Sequence, residues 1–401
     1  GIGGVSMHQL AIAMKSAGKR VLGYDAKTNQ YTDQCVRCGI AVTNRFKSEF
    51  CSVDLCVKTG AIKEDNRYVT LLRKLNIPIV DRADFLAYLA GEFKCVIAVA
   101  GTHGKSTTAS IIYEILRQNG EKVSCHIGAD VFAPRFVLGD DYLVVEACEY
   151  NRSFLSLKPT ISVVTNVEAE HMDSYGSLFN LKMAFMTFLK RGRYRFVSDN
   201  ASTKYLTKVK DVAFVTRTDL SISPKLKGDY NLDNISLAIA VCTKLGVETD
   251  TIIRAVNSFQ GVARRYECIG KYKGRKVYID YAHHPSEVKA FISAFSSEYE
   301  DPLIVFQPHT YSRTKFLLRE FLDTLGGVKN LLIFKEYPAR EKPTAGLSAR
   351  DLFHELKKIN PNVKYVASAV NVKKYIIDQS AIAFVGAGDI DQIARKIIER
   401  N

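Results

Sequence analysis

Short unbroken apolar runs alternate with stretches of helical periodicity along most of the chain. CVIAVA at residues 95–100, YLVVEA at 142–147 and ISVVT at 161–165 lack polar alternation, which predicts strands covered on both faces. TTASIIYEILRQNG at 107–120 carries its apolar residues at helical spacing. This alternation predicts an α/β protein with largely parallel sheets. Three stretches start afresh with a strand and a glycine turn: GIGGVS through RVLGYD, KCVIAVAGTHGKS, and KVYIDYAHHP after SFQGVARR. They divide the chain into expected domains 1–90, 91–262 and 263–401, without repeats or low-complexity linkers.

Composition narrows the classes. At 401 residues and 47% hydrophobic, the chain can bury two or three cores. Its apolar runs fall well short of the roughly 20 residues of a membrane helix, and it shows no basic and apolar leader, so the cytoplasm is the default and no membrane partner is expected. The nine cysteines are odd in number and irregularly spaced, as reduced thiols are. Cys35, Cys38, Cys51 and Cys56 approach zinc-ribbon spacing, but the second pair brackets SVDL, which reads as a short strand ending at Cys56, and does not repeat the tight CxxC knuckle. A net charge of +14 favours anionic partners. The basic residues are spread from Lys15 to Arg400 and no helix-turn-helix or aromatic RNA-binding motif is present, so a nucleotide-sized anion is expected and no nucleic acid.

GIGGVSMHQLAIAMKSAGKRVLGYD has the form of a glycine turn, an amphipathic helix and a strand ending in Asp25. In a Rossmann-like unit such a turn lets the backbone approach a pyrophosphate at the helix N-terminus, which makes Gly1, Gly3, Gly4, Ser6 and Asp25 candidate substrate-binding residues. Glycine turns before helices are common, and the pattern alone leaves a plain turn open. A first strand is expected ahead of Gly1, so the chain reads as a truncated or partly ordered version of a longer one.

VAGTHGKSTTAS carries the chemistry. A strand leads into Gly101, Thr102, His103, Gly104, Lys105, Ser106 and Thr107 and then into a helix, the context of a phosphate-binding loop, although Val99 stands where the full consensus has glycine. Backbone N–H groups would hold phosphates, Lys105 would bridge the β and γ oxygens, and Ser106 would ligate Mg²⁺. About forty residues on, DYLVVEACEYNRSF delivers Glu146 at the end of an apolar strand, where a carboxylate suits magnesium. ISVVTNVEAEHMDSYG then ends a third strand at Thr165 and Asn166, the latter a candidate substrate-binding residue, followed by Glu168, Glu170, His171 and Asp173. Ligands bind at the carboxyl ends of parallel strands, so His171 is a candidate second metal ligand.

AGTHGKST, EACEYNRSF, TNVEAEHMD, GDYNLDN, GVARRYE, DYAHHPSEV, FQPHTYSRT, YPAREK and VGAGDI resemble, in this order, the motifs of the Mur ligases of bacterial cell-wall synthesis, and do so over nearly the whole chain. The resemblance implies a three-domain α/β architecture: an N-terminal Rossmann-like domain for a UDP-sugar, a central P-loop ATPase domain and a C-terminal Rossmann-like domain that closes over the site. It is strongest to the branch that joins L-alanine to UDP-N-acetylmuramate through an acyl phosphate, with ATP and Mg²⁺ as cofactors. A tripeptide-recycling branch and a non-catalytic relative are the alternatives, and a monomer or weak homodimer is expected.

By the same resemblance, Glu146 and Ser106 hold one magnesium and His171 the second. Asn231 and Asn234 contact adenine, Arg264 or Arg265 touches the ATP phosphates, and Asp280 binds ribose. His283, His284, His309 and Arg313 lie where the family keeps amino-acid and transition-state contacts. Without the resemblance, Asn231 and Asn234 read as a helix cap and an exposed helical residue, and Arg264 and Arg265 as a solvated pair. Departures are Thr310 where arginine is frequent, and EACEYN in place of a more acidic segment, which weakens Glu149 and Asn151 as candidates. Met186 stands where other branches carry a modified lysine. The segment from Phe188 to Gly228 is short, so some strands are expected to be absent there.

Overall fold

The computed structural model describes residues 1–128, 136–339, 341–343 and 346–399; Arg340 of YPAREK lies outside them, as does the side chain of Asp173. Two compact units form, Gly1–Pro224 with Asn231–Phe259, and Lys225–Tyr230 with Gln260–Asn401. The first carries two small parallel sheets and a six-stranded one, and the second carries another six-stranded sheet, so the chain is α/β with largely parallel sheets, as expected. Among the described residues, no helix is long and apolar enough to cross a membrane.

The small sheets pair β1 (Leu22–Tyr24) with β2 (Ala41–Thr43), and β3 (Cys56–Lys58) with β4 (Ile79–Asp81). SVDL is not the strand expected from its pattern. Ser48–Ser52 forms a 3₁₀ turn, Leu55 remains 39% exposed, and pairing starts only at Cys56 opposite Ile79, so the strand begins where it was expected to end. Cys35 is buried while Cys38 is exposed, and these cysteines form no metal-ligating group among the described residues.

The large sheet of the first unit contains β5 (Cys95–Ala100), β6 (Val123–His126), β7 (Tyr142–Glu146), β8 (Ile161–Val164), β9 (Tyr194–Ser198) and β10 (Val212–Val215). All pairings are parallel, in the order β10-β9-β8-β5-β7-β6. After β5 the chain crosses to the far edge, returns as β7 beside β5, and continues as β8 on the other side. The loop after β5 therefore sits at the point where strand order reverses, between the carboxyl ends of β7 and β8. Ile97 to Ala100 are fully buried, as a continuous apolar run requires when helices cover both faces. The segment from Phe188 to Gly228 supplies β9 and β10 at one edge of this sheet.

In the second unit, β11 (Glu267–Tyr272) forms an antiparallel hairpin with β12 (Arg275–Asp280). The sheet continues through β13 (Leu303–Phe306), β14 (Asn330–Phe334), β15 (Lys364–Val366) and β16 (Ala381–Val385) in the order β11-β12-β16-β13-β14-β15. The ends of β12 and β13 both flank β16.

The core of the first unit is anchored by Phe154, 1% exposed, stacked on Phe188 at 5.0 Å between ring centroids and edge-on to Phe185 at 5.2 Å. It lies directly downstream of the loop that follows β7. Phe154→Ala is expected to lower the stability of the first unit by about 3–5 kcal/mol in chemical denaturation and to leave unfolding of the second unit unchanged.

Candidate functional site

Gly101 and Gly104 allow the loop after β5 to take its path. Their φ angles are +146° and +80°, in the region that L side chains rarely adopt. A Cβ on Gly101 would lie 1.9 Å from Thr165 Oγ1, and one on Gly104 would lie 2.2 Å from Asn234 Oδ1. The end of β8 clamps the same loop. Thr102 N–H donates to the Asn166 carbonyl at 3.0 Å, His103 N–H to Asn166 Oδ1 at 2.8 Å, and Thr165 Oγ1 to the His103 carbonyl at 2.5 Å. The helix Lys105–Gln118 then starts at Gly104, so its first N–H groups face the loop unpaired within the helix.

Lys105 is buried. Its ammonium donates to the carbonyls of Gly101 at 2.5 Å and Thr102 at 3.1 Å, and to Glu149 Oε1 at 3.2 Å. Glu149 Oε2 lies 3.1 Å away as an ion-pair contact without hydrogen-bond geometry. Burial works against the charge on Lys105, but Glu149 and Glu146 outweigh it and push the group up to about 12. Burial likewise opposes the charge on Glu149, and Lys105 and His171 still hold its carboxyl below the ordinary value.

Glu146 Oε2 accepts from Ser106 Oγ and from Gly128 N–H, both at 2.9 Å. His171 has φ +57° at the start of a short helix, and its Nε2 lies 3.6 Å from Glu149 Oε1. Hydroxyl and carboxylate oxygens are the donors that a hard divalent cation takes. Ser106 with Glu146, and the carboxylate of Glu149, are therefore chemically suited to hold magnesium, whereas the His171 imidazole beside Glu149 offers a nitrogen, a softer donor than this ion prefers. Asn234 packs against Gly104 and accepts from Thr108 Oγ1 at 3.2 Å, while Asn231 lies 3.4 Å from its amide. Both asparagines are buried within the helix Asp229–Lys244, which differs from the cap-and-exposed reading of the bare sequence. Thr107 is buried beside the loop, and Met186 packs against the core of the unit.

At the N-terminal turn, Gly3 N–H donates to Asp25 Oδ2 at 2.9 Å, and Asn29 Nδ2 donates to the Gly3 carbonyl at 2.9 Å. Gly4 caps the helix Val5–Ser16, and the Gly1 amino group donates to the Tyr24 carbonyl at 2.6 Å. Ser6 Oγ lies 2.7 Å from His126 Nε2, at the end of β6.

The remaining candidates belong to the second unit. Asp280 is buried and accepts Tyr266 N–H at 2.8 Å and Ala282 N–H at 2.7 Å. Arg264 has φ +62°, donates to the carbonyls of Gly386 at 3.2 Å and Gly388 at 2.8 Å, and sits over the Tyr281 ring. Arg265 lies 3.4 Å from Glu287. His284 caps the helix Pro285–Glu298. His283 and His309 meet edge to face at 5.7 Å, and Arg313 Nη1 lies 2.8 Å from His309 Nδ1. The structure thus gathers the loop residues with Glu146, Asn166, His171, Asn231 and Asn234, joins the N-terminal turn to β6, and groups His283, His309 and Arg313. Glu149 was weighed from sequence and set aside as a weakened candidate, and His126 was not singled out. Glu149 follows its strand by three residues in a turn without periodicity, and nothing in the sequence places His126 beside Ser6.

The chain matches "Mur ligase family, catalytic domain" over residues 1–94, "Mur ligase middle domain" over 99–216 and "Mur ligase, glutamate ligase domain" over 264–389. It is 34% identical to UDP-N-acetylmuramate--L-alanine ligase of Caldicellulosiruptor bescii, with 100% of this chain and 97% of the relative covered. It is 31% identical to the same enzyme of Caldicellulosiruptor saccharolyticus, covering 100% and 98%. The fold is similar to the crystal structure of UDP-N-acetylmuramate-alanine ligase from Thermotoga maritima, with TM-score 0.82 and 22% identity over 100% of this chain and 97% of that one. A murein peptide ligase from Psychrobacter arcticus gives TM-score 0.73 and 20% identity, covering 100% and 97%.

Two outcomes test this geometry. Gly104→Ala is expected to weaken ATP binding more than tenfold by calorimetry, since both its φ and Asn234 oppose a Cβ. Asp280 titrates unusually, because burial pushes its carboxyl up to about 6 against the opposing charge of Arg265. The folded state therefore holds this proton more tightly than the unfolded chain, whose aspartates titrate near about 3.9. The contribution of Asp280 to stability is fully present below that value and lost as pH rises through about 6. The stability of wild type relative to Asp280→Asn, measured by denaturant titration of the second unit, should fall by roughly 2–3 kcal/mol between pH 4 and pH 7.

Proposed function

The chain belongs to the Mur ligase family, and we propose that it is an ATP-dependent, ADP-forming amide ligase that joins L-alanine to UDP-N-acetylmuramate in peptidoglycan precursor synthesis. The observation that carries this reading is the hydrogen-bonded and ion-paired cluster of Lys105, Ser106, Glu146 and Glu149 at the ends of β5 and β7. The alanine-adding relatives matched over the whole chain support the choice of substrates.

A carboxylate acylates poorly because its leaving group would be oxide, whereas an acyl phosphate releases phosphate. The muramoyl carboxylate oxygen attacks the γ-phosphorus of ATP and ADP leaves. The uncharged amine of L-alanine then attacks the acyl carbon, phosphate departs with the C–O electron pair, the amine proton is lost, and an amide remains. Two anions meet in the first step, so positive charge must already be in place. Lys105 supplies it, remaining charged throughout the physiological range. Arrival of the triphosphate gives its ammonium a second anionic partner beside Glu149. Magnesium, when bound, would withdraw charge from the phosphoryl oxygens. Ser106 and Glu146 would hold one ion, and Glu149 with His171 the other.

Asn231 and Asn234 would face the base of ATP, and Arg264 or Arg265 its phosphates, with Asp280 at the ribose. Gly1, Gly3, Gly4, Ser6 and Asp25 would form the nucleotide-sugar turn, and Asn166, which clamps the phosphate loop, would also contact substrate. His283, His284, His309 and Arg313 would meet the amino acid and the reacting groups. The reaction is placed in the cytoplasm, with the protein acting as a monomer or weak homodimer.

The test is phosphate release from ATP with magnesium and UDP-N-acetylmuramate, adding L-alanine, glycine, L-serine or murein tripeptide separately and weighing the product. Dependence on both the sugar nucleotide and L-alanine, with the expected amide mass, is the predicted result. Dependence on tripeptide would move the protein to recycling. Lys105→Ala should reduce kcat by at least about a hundredfold. Equal, negligible turnover of wild type and variant at saturating substrates would point to a non-catalytic protein.

A further inference from the structure

Three consecutive residues at the end of β6 tie the nucleotide-sugar turn to the metal-site carboxylate. His126 Nε2 lies 2.7 Å from Ser6 Oγ in the first turn of the helix Val5–Ser16. The Ile127 carbonyl accepts from Gln9 Nε2 at 2.9 Å, one helical turn further along. Gly128 N–H donates to Glu146 Oε2 at 2.9 Å, the same oxygen that accepts from Ser106. Arg82 Nη1 donates to Ser6 Oγ at 3.1 Å and closes the network on the other side.

The polar character of this joint is not explained by stability. His126 is 4% exposed, and burial, with Arg82 and His8 adding to it, pushes its imidazole down to about 3, so the ring is neutral. Its Nδ1 and the Oε1 of Gln9 are buried without hydrogen-bond partners among the described residues. Such atoms carry a desolvation penalty that an apolar packing would avoid. What the polar pair supplies is direction, because a hydrogen bond fixes where β6 ends relative to the turn. Groups that orient metal ligands commonly act in this way.

We infer that His126 is a positioning residue through which occupation of the nucleotide-sugar turn sets Gly128 N–H, and with it Glu146, for binding of magnesium and ATP. This rests on the proposed substrates. Ligand at the turn fixes Ser6, Ser6 fixes the His126 ring, and the next two residues transmit that position through the backbone to the carboxylate. By linkage the effect is reciprocal, so each ligand tightens the other by the same factor.

The experiment uses the full chain and calorimetric titration of magnesium with the non-hydrolysable β,γ-methylene analogue of ATP, with and without saturating UDP-N-acetylmuramate. The wild type is expected to bind the analogue about tenfold more tightly when the sugar nucleotide is present. His126→Leu and His126→Asn should reduce that factor to below twofold while changing affinity for either ligand alone by less than threefold. Leu has no polar atom, and Asn is too short to reach Ser6 Oγ. His126→Gln, whose terminal amide reaches the position of Nε2, should restore most of the coupling. If His126→Leu fails to melt as the wild type does, the Asn and Gln pair decides. Wild type that forms the amide yet shows no coupling, or an Asn variant that keeps it, overturns the inference and leaves the ligase reading standing. A wild type that neither binds UDP-N-acetylmuramate nor forms the amide overturns both.

Discussion

An ammonium held out of water must have an anion beside it, and the arrangement around Lys105 follows from that requirement. Only 14% of its side chain is exposed, and the carboxylate facing it, Glu149, is 3% exposed. Two carbonyls, from Gly101 and Thr102, complete the shell. Removing Glu149 would leave a largely desolvated cation without its anion, whereas bringing a polyphosphate adds a second anion where the first already compensates. The pair therefore keeps Lys105 charged and in place before substrate arrives, which limits reorganisation during phosphoryl transfer.

Holding the lysine constrains the backbone around it. Carbonyls can turn toward the ammonium only because Gly101 and Gly104 adopt positive φ, and there is no space for a Cβ at either. Thr165 and Asn166 then secure the loop from one side, while Glu146 engages Ser106 from the other. The residues come from β5, β7 and β8, which are adjacent in space because the chain crosses to β6 and returns. Sheet topology and loop chemistry are thus one constraint: the order that places β7 and β8 on either side of β5 also brings their ends to the phosphate loop.

What could be read from the sequence follows the same division. CVIAVA, YLVVE and ISVV are continuous and apolar, so their burial and parallel pairing were legible, as was the delivery of Glu146 at a strand end. The loop after β5 was legible despite Val99, because the strand and helix around it supply the context. SVDL failed, since exposed Leu55 and the 3₁₀ turn before it mimic an apolar strand without pairing. The hairpin of β11 and β12 was missed: a bulge between Cys268 and Gly270 breaks its alternation. Glu149, His126 and the burial of Asn234 depend on contacts between residues distant in sequence, for which spacing carries no signal. The order of motifs led to an adenine contact being expected of Asn234, but gave no sign of its packing against Gly104.

Glu149 and Asp280 show why an acid near a strand end cannot be assigned from position alone. Both are buried, and burial by itself opposes charge on each. Glu149 faces the Lys105 ammonium and stays below its ordinary pKa, so it can serve as an anion and accept a cation. Asp280 has a weaker counter-charge in Arg265 and rises to about 6, with its two oxygens committed to the N–H groups of Tyr266 and Ala282. In this arrangement Asp280 first holds the turn from which His283 and His284 project. A ribose hydroxyl would have to share oxygens already engaged by two backbone donors, whereas Glu149 already stands between Lys105 and His171. The chemistry available at a strand end is decided by the cation that the neighbouring loop brings to it.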